Sequence, residues 1–476
     1  MNPTPFGHAD WSAIVPPAVV ALAALLVLFV DLVSRKHADR YVAIGIGCAG
    51  AAAAAWLTAL QYGHDYAAFG GGFMTGGFTS VFEEIVLIAL AGSLILYGSI
   101  GRSDRIAGAT ALMMWSAVGA MLMAGAASLM TIFLGLELLS LALYCLCGLS
   151  DRATAKESAL KYLILSSTAT GFLLFGMAML FGASGSVMLS ALVDPALLGT
   201  PLFWFGGGLF LVGLAFKLSL VPFHSWAPDV YEGAPLPVTA FMTVATKAGT
   251  LAVLARFIYA ALPSGAADRL LLPIWVLAGI SMIVGNVGML AQTDLKRLLG
   301  YSGIAQMGYI LTALAGATAL GLRYAIYYLA AYTLMNLGAF AVAASLSTDS
   351  EEGSLLSTYR GLAHRRPFLA AAMAFFLLAL AGMPPTAGFL GKVLILASSA
   401  GAGYVWMAGL LILGTAISLY AYAKVIRAMY ETQDGPAHDA RPGAPLAWIS
   451  LTICAVALLA MTLYPLTPSD ILPLVK

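Results

Sequence analysis

Charged side chains are what this sequence of 476 residues has least of: Asp, Glu, Lys and Arg make up 9% of it, where a soluble domain carries about 25%. So few charges cannot build a water-facing surface. An excess of either sign is missing too. The formal net charge is +1 and there is no long basic tract, which argues against nucleic-acid binding. There are four cysteines, Cys48, Cys145, Cys147 and Cys454, all within apolar runs. Cys145 and Cys147 are two positions apart, which on a helix turns them to different sides, so they are expected to pack rather than share a metal. Dinucleotide fingerprints, Walker motifs, haem motifs and iron–sulfur spacings are all lacking, so no redox chemistry is expected of the chain by itself. The N-terminus lacks the basic region and cleavage site of a signal peptide, and the first apolar run is expected to remain as a mature helix.

What the sequence does have is 61% hydrophobic residues, in runs of roughly twenty that recur from end to end and suffice to cross a hydrocarbon core of about 30 Å. Helices satisfy their own backbone in lipid, and stretches such as Val19 to Leu32 lack the alternation of a barrel strand. The expected fold is therefore an all-α integral membrane protein of about fourteen transmembrane helices. Their expected spans are 14–33, 41–62, 79–99, 107–124, 127–149, 159–183, 203–230, 236–262, 270–291, 297–316, 322–346, 368–400, 404–430 and 446–466. Connections are short, leaving no soluble domain. Alternate loops carry Arg35, Lys36 and Arg40; Arg102 and Arg105; Arg152 and Lys156; Lys296 and Arg297; and Arg360, Arg365 and Arg366. The positive-inside rule puts these loops in the cytoplasm and both termini opposite. Gly70 to Gly77 follows no strand, so it is expected to be a flexible loop rather than a phosphate site.

Against this apolar background five ionisable residues stand out. Glu137 falls mid-span with hydrophobic neighbours, and Lys217, Lys247 and Lys392 fall within the seventh, eighth and twelfth expected helices. Lys161 is nearer the end of the sixth, where it could also snorkel to the cytoplasmic edge. A charge at the bilayer centre costs roughly 2.5–3.5 kcal/mol, so four cost on the order of 10–14 kcal/mol before compensation. One Glu–Lys pair could serve helix packing alone, but one acid cannot neutralise several lysines. A lysine surplus is better explained by groups that hold and release protons, because desolvation favours a neutral amine and a nearby carboxylate favours the ammonium.

Two of the lysine-bearing helices are also expected to be broken. Pro222 removes a backbone hydrogen bond shortly after Lys217, and Gly382-Met383-Pro384-Pro385 interrupts the span just before Lys392. In transporters, discontinuous helices mark the ion pathway. The breaks recur about five helices apart, which suggests two five-helix repeats of inverted topology. The expected organisation is three N-terminal helices in 1–106, a first repeat in 107–262, a second in 270–430 and a terminal helix in 446–476. His224, two residues beyond Pro222, could relay protons or simply pack as a hydrogen-bonding residue. His8, His37, His64, His364 and His438 are expected in solvated loops or tails.

The stretch from Phe216-Lys217-Leu218-Ser219-Leu220-Val221-Pro222-Phe223-His224-Ser225-Trp226 to Asp229, Glu232 and Pro235 resembles the antiporter-like membrane subunits of respiratory complex I, which are related to subunits of multi-component sodium/proton antiporters. Leu136-Glu137-Leu138, Asp294-Leu295-Lys296-Arg297 with Tyr301-Ser302, and Met383-Pro384-Pro385-Thr386-Ala387-Gly388-Phe389 resemble the same family, over nearly the whole chain. Lys156 to Tyr162 and Gly388-Phe389-Leu390-Gly391-Lys392 resemble its subunit N branch, as does the lack of a lateral helix after the last run. The resemblance implies a proton-translocating subunit of NADH-quinone oxidoreductase, in the bacterial inner membrane, with a sodium/proton antiporter subunit as the alternative. Glu137 and Lys217 would form the first coupled pair, Lys247 the central relay and Lys392 the terminal donor toward the outer side. Lys161 would modulate Lys217, and His224 would help join the half-channels. NADH, FMN, iron–sulfur clusters and quinone would belong to partner subunits, and this chain's partners would be neighbouring membrane subunits, lipid and protons.

Overall fold

The computed structural model describes residues 7–34, 39–100, 105–263, 266–314, 316–347, 353–432 and 445–463. Arg35, Lys36, His37, Arg102, His438 and the end of the last expected helix, 464–466, lie outside the described residues, as does the side chain of His8.

The chain folds into helices α1 His8–Val33, α2 Arg40–Gln61, α3 Gly77–Ile100, α4 Ile106–Gly125, α5 Leu129–Cys147 and α6 Ala153–Ser184. The seventh expected span is two pieces, α7 Pro201–Lys217 and α8 Trp226–Gly233, and the eighth is also two, α9 Leu236–Met242 and α10 Ala245–Ala260. There follow α11 Ala267–Met289, α12 Leu295–Leu314, α13 Ala319–Leu346, a single turn α14 Leu362–Arg365, the broken pair α15 Pro367–Ala381 and α16 Ala387–Gly401, then α17 Val405–Tyr430 and α18 Pro445–Leu463. Local chemistry sets several ends. Ser128, Thr318 and Thr386 each accept a bond from a backbone N–H in the first turn of α5, α13 and α16, and Gly382 closes α15 at φ +78.

By length and hydropathy, eleven helices among the described residues can cross a membrane, α9 and α10 counting together. The other three expected spans correspond to α7–α8, α15–α16 and the more polar α12. The α9–α10 pair and α13 are enclosed by other helices, whereas α1 and α18 turn Leu32, Phe29 and Leu463 outward. That is the pattern of a bundle whose periphery meets lipid or other apolar helices. Cys145 is exposed and Cys147 is buried with its Sγ 3.5 Å from Met242 Sδ, so the two sulfurs do diverge.

The described loops sort to two ends. At one, Arg105 pairs with Asp151 at 2.9 Å, and residues from 152–161, 229–233, 294–297 and 354–355 line one cavity. At the other, strands β1 Ala67–Ala68 and β2 Phe73–Met74 form a hairpin whose Gly72 carbonyl accepts from Ala127. The glycines there are conformational rather than a loose tether. Gly70 and Gly71 have φ +64 and +92, and at Gly76 (φ +119) a side chain would collide with Asp65, which accepts a bond from Gly77 N. This corrects the flexible loop expected from composition.

Candidate functional site: a buried lysine axis

Lys217 is the last residue of α7, so the helix ends at the lysine itself and the non-helical link 218–225 carries the chain to α8. Its side chain is 2% exposed. The ammonium donates to Ser140 Oγ on α5 and Ser166 Oγ on α6, both at 2.7 Å, and lies 5.2 Å from the centre of the Tyr162 ring. Hydroxyl oxygens accept hydrogen bonds from the ammonium without neutralising its charge, so the site tolerates the ammonium without locking it in an ion pair. Glu137 is half-buried on α5, one turn before Ser140, and makes no ion pair with Lys217 among the described residues. The fully apolar setting expected for Glu137 is corrected: three residues along the helix from Ser140, it is only half-buried.

Lys247 is wholly buried in the first turn of α10. Its Nζ has no hydrogen-bond partner among the described residues and sits 5.5 Å from the centre of the Tyr332 ring on α13. Opposite it is Gly303 on α12, where a Cβ would come within 2.3 Å of Nζ. The break between α9 and α10, at Thr243 and Val244, was not expected, because no proline or glycine marks it. Thr239, Thr243, Thr246 and Thr250 bond back to carbonyls three or four residues earlier, a habit that bends helices.

Lys392 reaches back across its break and donates to Ala381 O, at the end of α15, at 2.9 Å, where orphan carbonyls and the helix dipole favour a cation. Its ammonium lies 4.7 Å from the centre of the Tyr309 ring. Between Lys247 and Lys392, α12 supplies a polar face that hydropathy did not reveal. Ser302 bonds Tyr422 at 2.5 Å, Gln306 donates to Leu380 O and accepts from Tyr328, and Tyr309 accepts from Asn286 at 2.7 Å. Asn336 completes the group by donating to Tyr332 OH at 3.1 Å.

Lys161 is elsewhere. It is 44% exposed in a cavity of about 420 Å³ at the basic-loop end, 2.8 Å from Glu157 and 3.5 Å from Asp229. Arg297 holds Asp229 at 2.6 Å and Glu232 at 2.8 Å in the same cavity. Burial pushes the nearby Asp294 carboxyl above its ordinary range. Lys296, expected in an open basic loop, is buried and donates to Ala234 O. His224 lies half-buried in the link after α7, and no bond or ring contact among the described residues joins it to the three lysines. Two more buried groups escaped the sequence reading: Glu83 on α3, bonded to Thr58 at 3.1 Å, and Arg256 on α10, which donates to Thr79 and Ala124 O. The signal for Glu83 was the acid pair Glu83-Glu84 inside an apolar run.

Residues 126–418 match the family described as "NADH:quinone oxidoreductase/Mrp antiporter, TM", more than half of the chain. The chain belongs to that family. A relative from Symbiobacterium thermophilum, named NADH-quinone oxidoreductase subunit N 1, is 38% identical over 97% of this chain and 96% of its own length. A subunit in the structure of respiratory complex I from Thermus thermophilus with bound Aureothin superposes with a TM-score of 0.82 at 33% identity, covering 95% of this chain and 98% of that one. A chain of the Mrp complex from Dietzia sp. DQ12-45-1b shares the fold, with a TM-score of 0.81 at 19% identity over 95% of this chain and 94% of that one. The matched segment of this NADH:quinone oxidoreductase/Mrp antiporter family member takes in all three lysines and the charged cavity, whereas Glu83 lies before it.

Proposed function

We propose that this chain is a proton-translocating membrane subunit of an NADH-quinone oxidoreductase, passing protons among Lys217, Lys247 and Lys392 while other subunits carry out electron transfer. The supporting observation is the placement of three buried lysines, each beside a helix break, with Lys217 held between α5 and α6 and with Lys247 and Lys392 against the polar residues of α12 and α13. A buried lysine at a break can change its partners through small helix movements, and each change of partner alters its proton affinity. Lys217 is held by hydroxyls, Lys247 faces Tyr332, and Lys392 rests on a helix end, so the three positions differ in their hold on a proton. In this reading Glu137 acts on Lys217 across the turn that separates it from Ser140, Lys161 exchanges protons at the charged cavity, and His224 tunes the link after α7.

NADH, FMN, iron–sulfur clusters and quinone belong, in this reading, to partner subunits, and α5 and the outer helices meet neighbouring membrane subunits or lipid. In the same reading the protein belongs to a bacterial inner membrane, with the charged cavity toward the cytoplasm and the termini opposite, as the positive-inside rule implies. The two five-helix repeats would be 107–262 and 270–430. They are supported by the close packing of α4 on α5 and of α11 on α12, and by a break in the fourth span of each. The similarity to the Mrp complex is one of fold, and the antiporter reading has no separate support.

The test is Lys217→Ala and Lys392→Ala in the assembled complex, in sealed vesicles. Quinone reduction and proton uptake should fall by about tenfold or more, a barrier change of about 1.4 kcal/mol, while electron transfer from NADH to an artificial acceptor is retained. Normal pumping by both variants would overturn the proposal.

A further inference from the structure

The charged cavity is organised around one short helix. α8 has eight residues, is cut off from α7 by the link 218–225, and ends at Gly233, shortly before α9. A helix that short does not hold its own place and depends on what it is packed and bonded to. Its neighbours come from both halves of the fold. From α6, Ser158 donates to Asp229 O; from the end of α5 and the start of α6, Arg152 donates to Gly233 O. From α12, Lys296 donates to Ala234 O, and Gly300 lets the helix come close, since a Cβ there would lie 3.3 Å from Pro228 Cα.

Asp229 joins these two sides with a single carboxylate. Its Oδ1 lies 2.6 Å from Arg297 on α12 and its Oδ2 lies 3.5 Å from Lys161 on α6. The other charges around it are Glu157, paired with Lys161, and Glu232, paired with Arg297, with Arg152 and Asp294 on the cavity wall. One turn before Asp229, Trp226 stacks on Tyr162 at 4.9 Å and on Phe216 at 5.3 Å, and its Nε1 donates to Phe216 O. Tyr162 is the ring beside the Lys217 ammonium, and Phe216 is the residue before Lys217. On the other side, the helix whose first turn holds Arg297 carries Gly303 against Lys247 and Tyr309 against Lys392. A displacement of α8 therefore reaches Lys217 through Trp226, and one of α12 reaches the other two lysines.

We propose that Asp229 is a positioning residue that couples the Lys217 site to the α12 axis, by holding α8 to Lys161 and Arg297 at once. The inference rests on the proton-translocation reading and adds to it the joint between the two halves. Because the carboxylate bridges two cations on two helices, losing its charge removes both ion pairs and leaves Glu232–Arg297 as the one ion pair between α8 and α12 among the described residues, with the backbone bonds of α8 in place. Glutamate keeps the charge and can restore them; asparagine cannot.

The experiment uses the intact membrane complex carrying Asp229→Asn or Asp229→Glu, with Lys217→Ala measured in parallel. Assembly, quinone reduction per assembled complex, its pH profile and proton uptake are read. The expected result for Asp229→Asn is full assembly, turnover lowered about threefold or more, and a pH profile displaced by about half a unit or more, with Asp229→Glu recovering most of both. A merely structural role would lower the amount of complex without moving the profile of what assembles. Wild-type turnover and profile in Asp229→Asn, or the same loss in Asp229→Glu, would overturn the proposal. Should Asp229→Asn fail to assemble, Arg297→Gln breaks the same bridge from α12 and is judged by the same criteria. If Lys217→Ala pumps normally the functional reading itself fails; if it is inactive while Asp229→Asn is wild-type, only the coupling role fails.

Discussion

At the scale of single residues, the three lysines differ in what surrounds them, and each difference predicts a different substitution effect. Lys247 has no hydrogen-bond partner among the described residues, so its position is set by space, and Gly303 is that space. The atom a methyl group would meet at 2.3 Å is the tip of a flexible side chain, so Gly303→Ala should move the ammonium rather than the helices. Assembly should be normal and quinone-linked proton uptake lowered about fivefold or more; wild-type uptake would show that the lysine needs no fixed place. Lys217 is set by two hydroxyls instead. Removing one leaves a buried charge short of a bond, a loss of about 1–3 kcal/mol, so Ser140→Ala and Ser166→Ala should each slow turnover, with the double variant slower than either. Turnover in vesicles measures this, and unchanged rates would mean that the hydroxyls are incidental. The expectation that Glu137 and Lys217 are coupled came from family resemblance, which does not say whether the two touch; Glu137 is half-buried on α5 and makes no direct ion pair with Lys217 among the described residues.

At the scale of elements, the interruptions matter more than the helices. Gly382 and the prolines around 222 and 384 announced two breaks, because proline lacks the N–H a helix needs and glycine accepts the left-handed turn that ends one. Pro222→Leu should leave abundance normal and reduce turnover about two- to tenfold, since a continuous helix still satisfies its backbone in lipid. The third break, at Thr243 and Val244, had no such marker. It rests on threonine hydroxyls that compete for backbone carbonyls, and the same residues are compatible with an unbroken helix elsewhere. Thr243→Val with Thr246→Val should therefore favour a continuous α9–α10 and slow proton uptake while quinone-independent electron transfer persists. Full activity in that double variant would mean that the bend does not serve Lys247.

At the scale of the whole molecule, the described segments that carry Arg152 and Arg297 line one cavity and the 67–74 hairpin lies apart from it, which makes sidedness testable at described positions. A cysteine at Lys156 should resist membrane-impermeant reagents applied outside intact cells, and one at Asp65 should react; the reverse result would invert the topology. The membrane character, the approximate spans, the two proline-marked breaks and the identity of the three buried lysines were all legible in the sequence. Hydropathy, backbone donors and turn preferences are properties of neighbouring residues, so they can be read in order along the chain. What the lysines touch was not legible. Ser140 meets Lys217 across 77 positions, Ser302 meets Tyr422 across 120, and Arg297 meets Asp229 across 68. A serine or tyrosine in an apolar run looks the same whether it faces lipid or a lysine, and Lys161 looks the same beside Lys217 or in a charged cavity. Only the packing of the helices decides which side chains share a space, because those contacts are fixed by distance in the fold and not by separation in the chain.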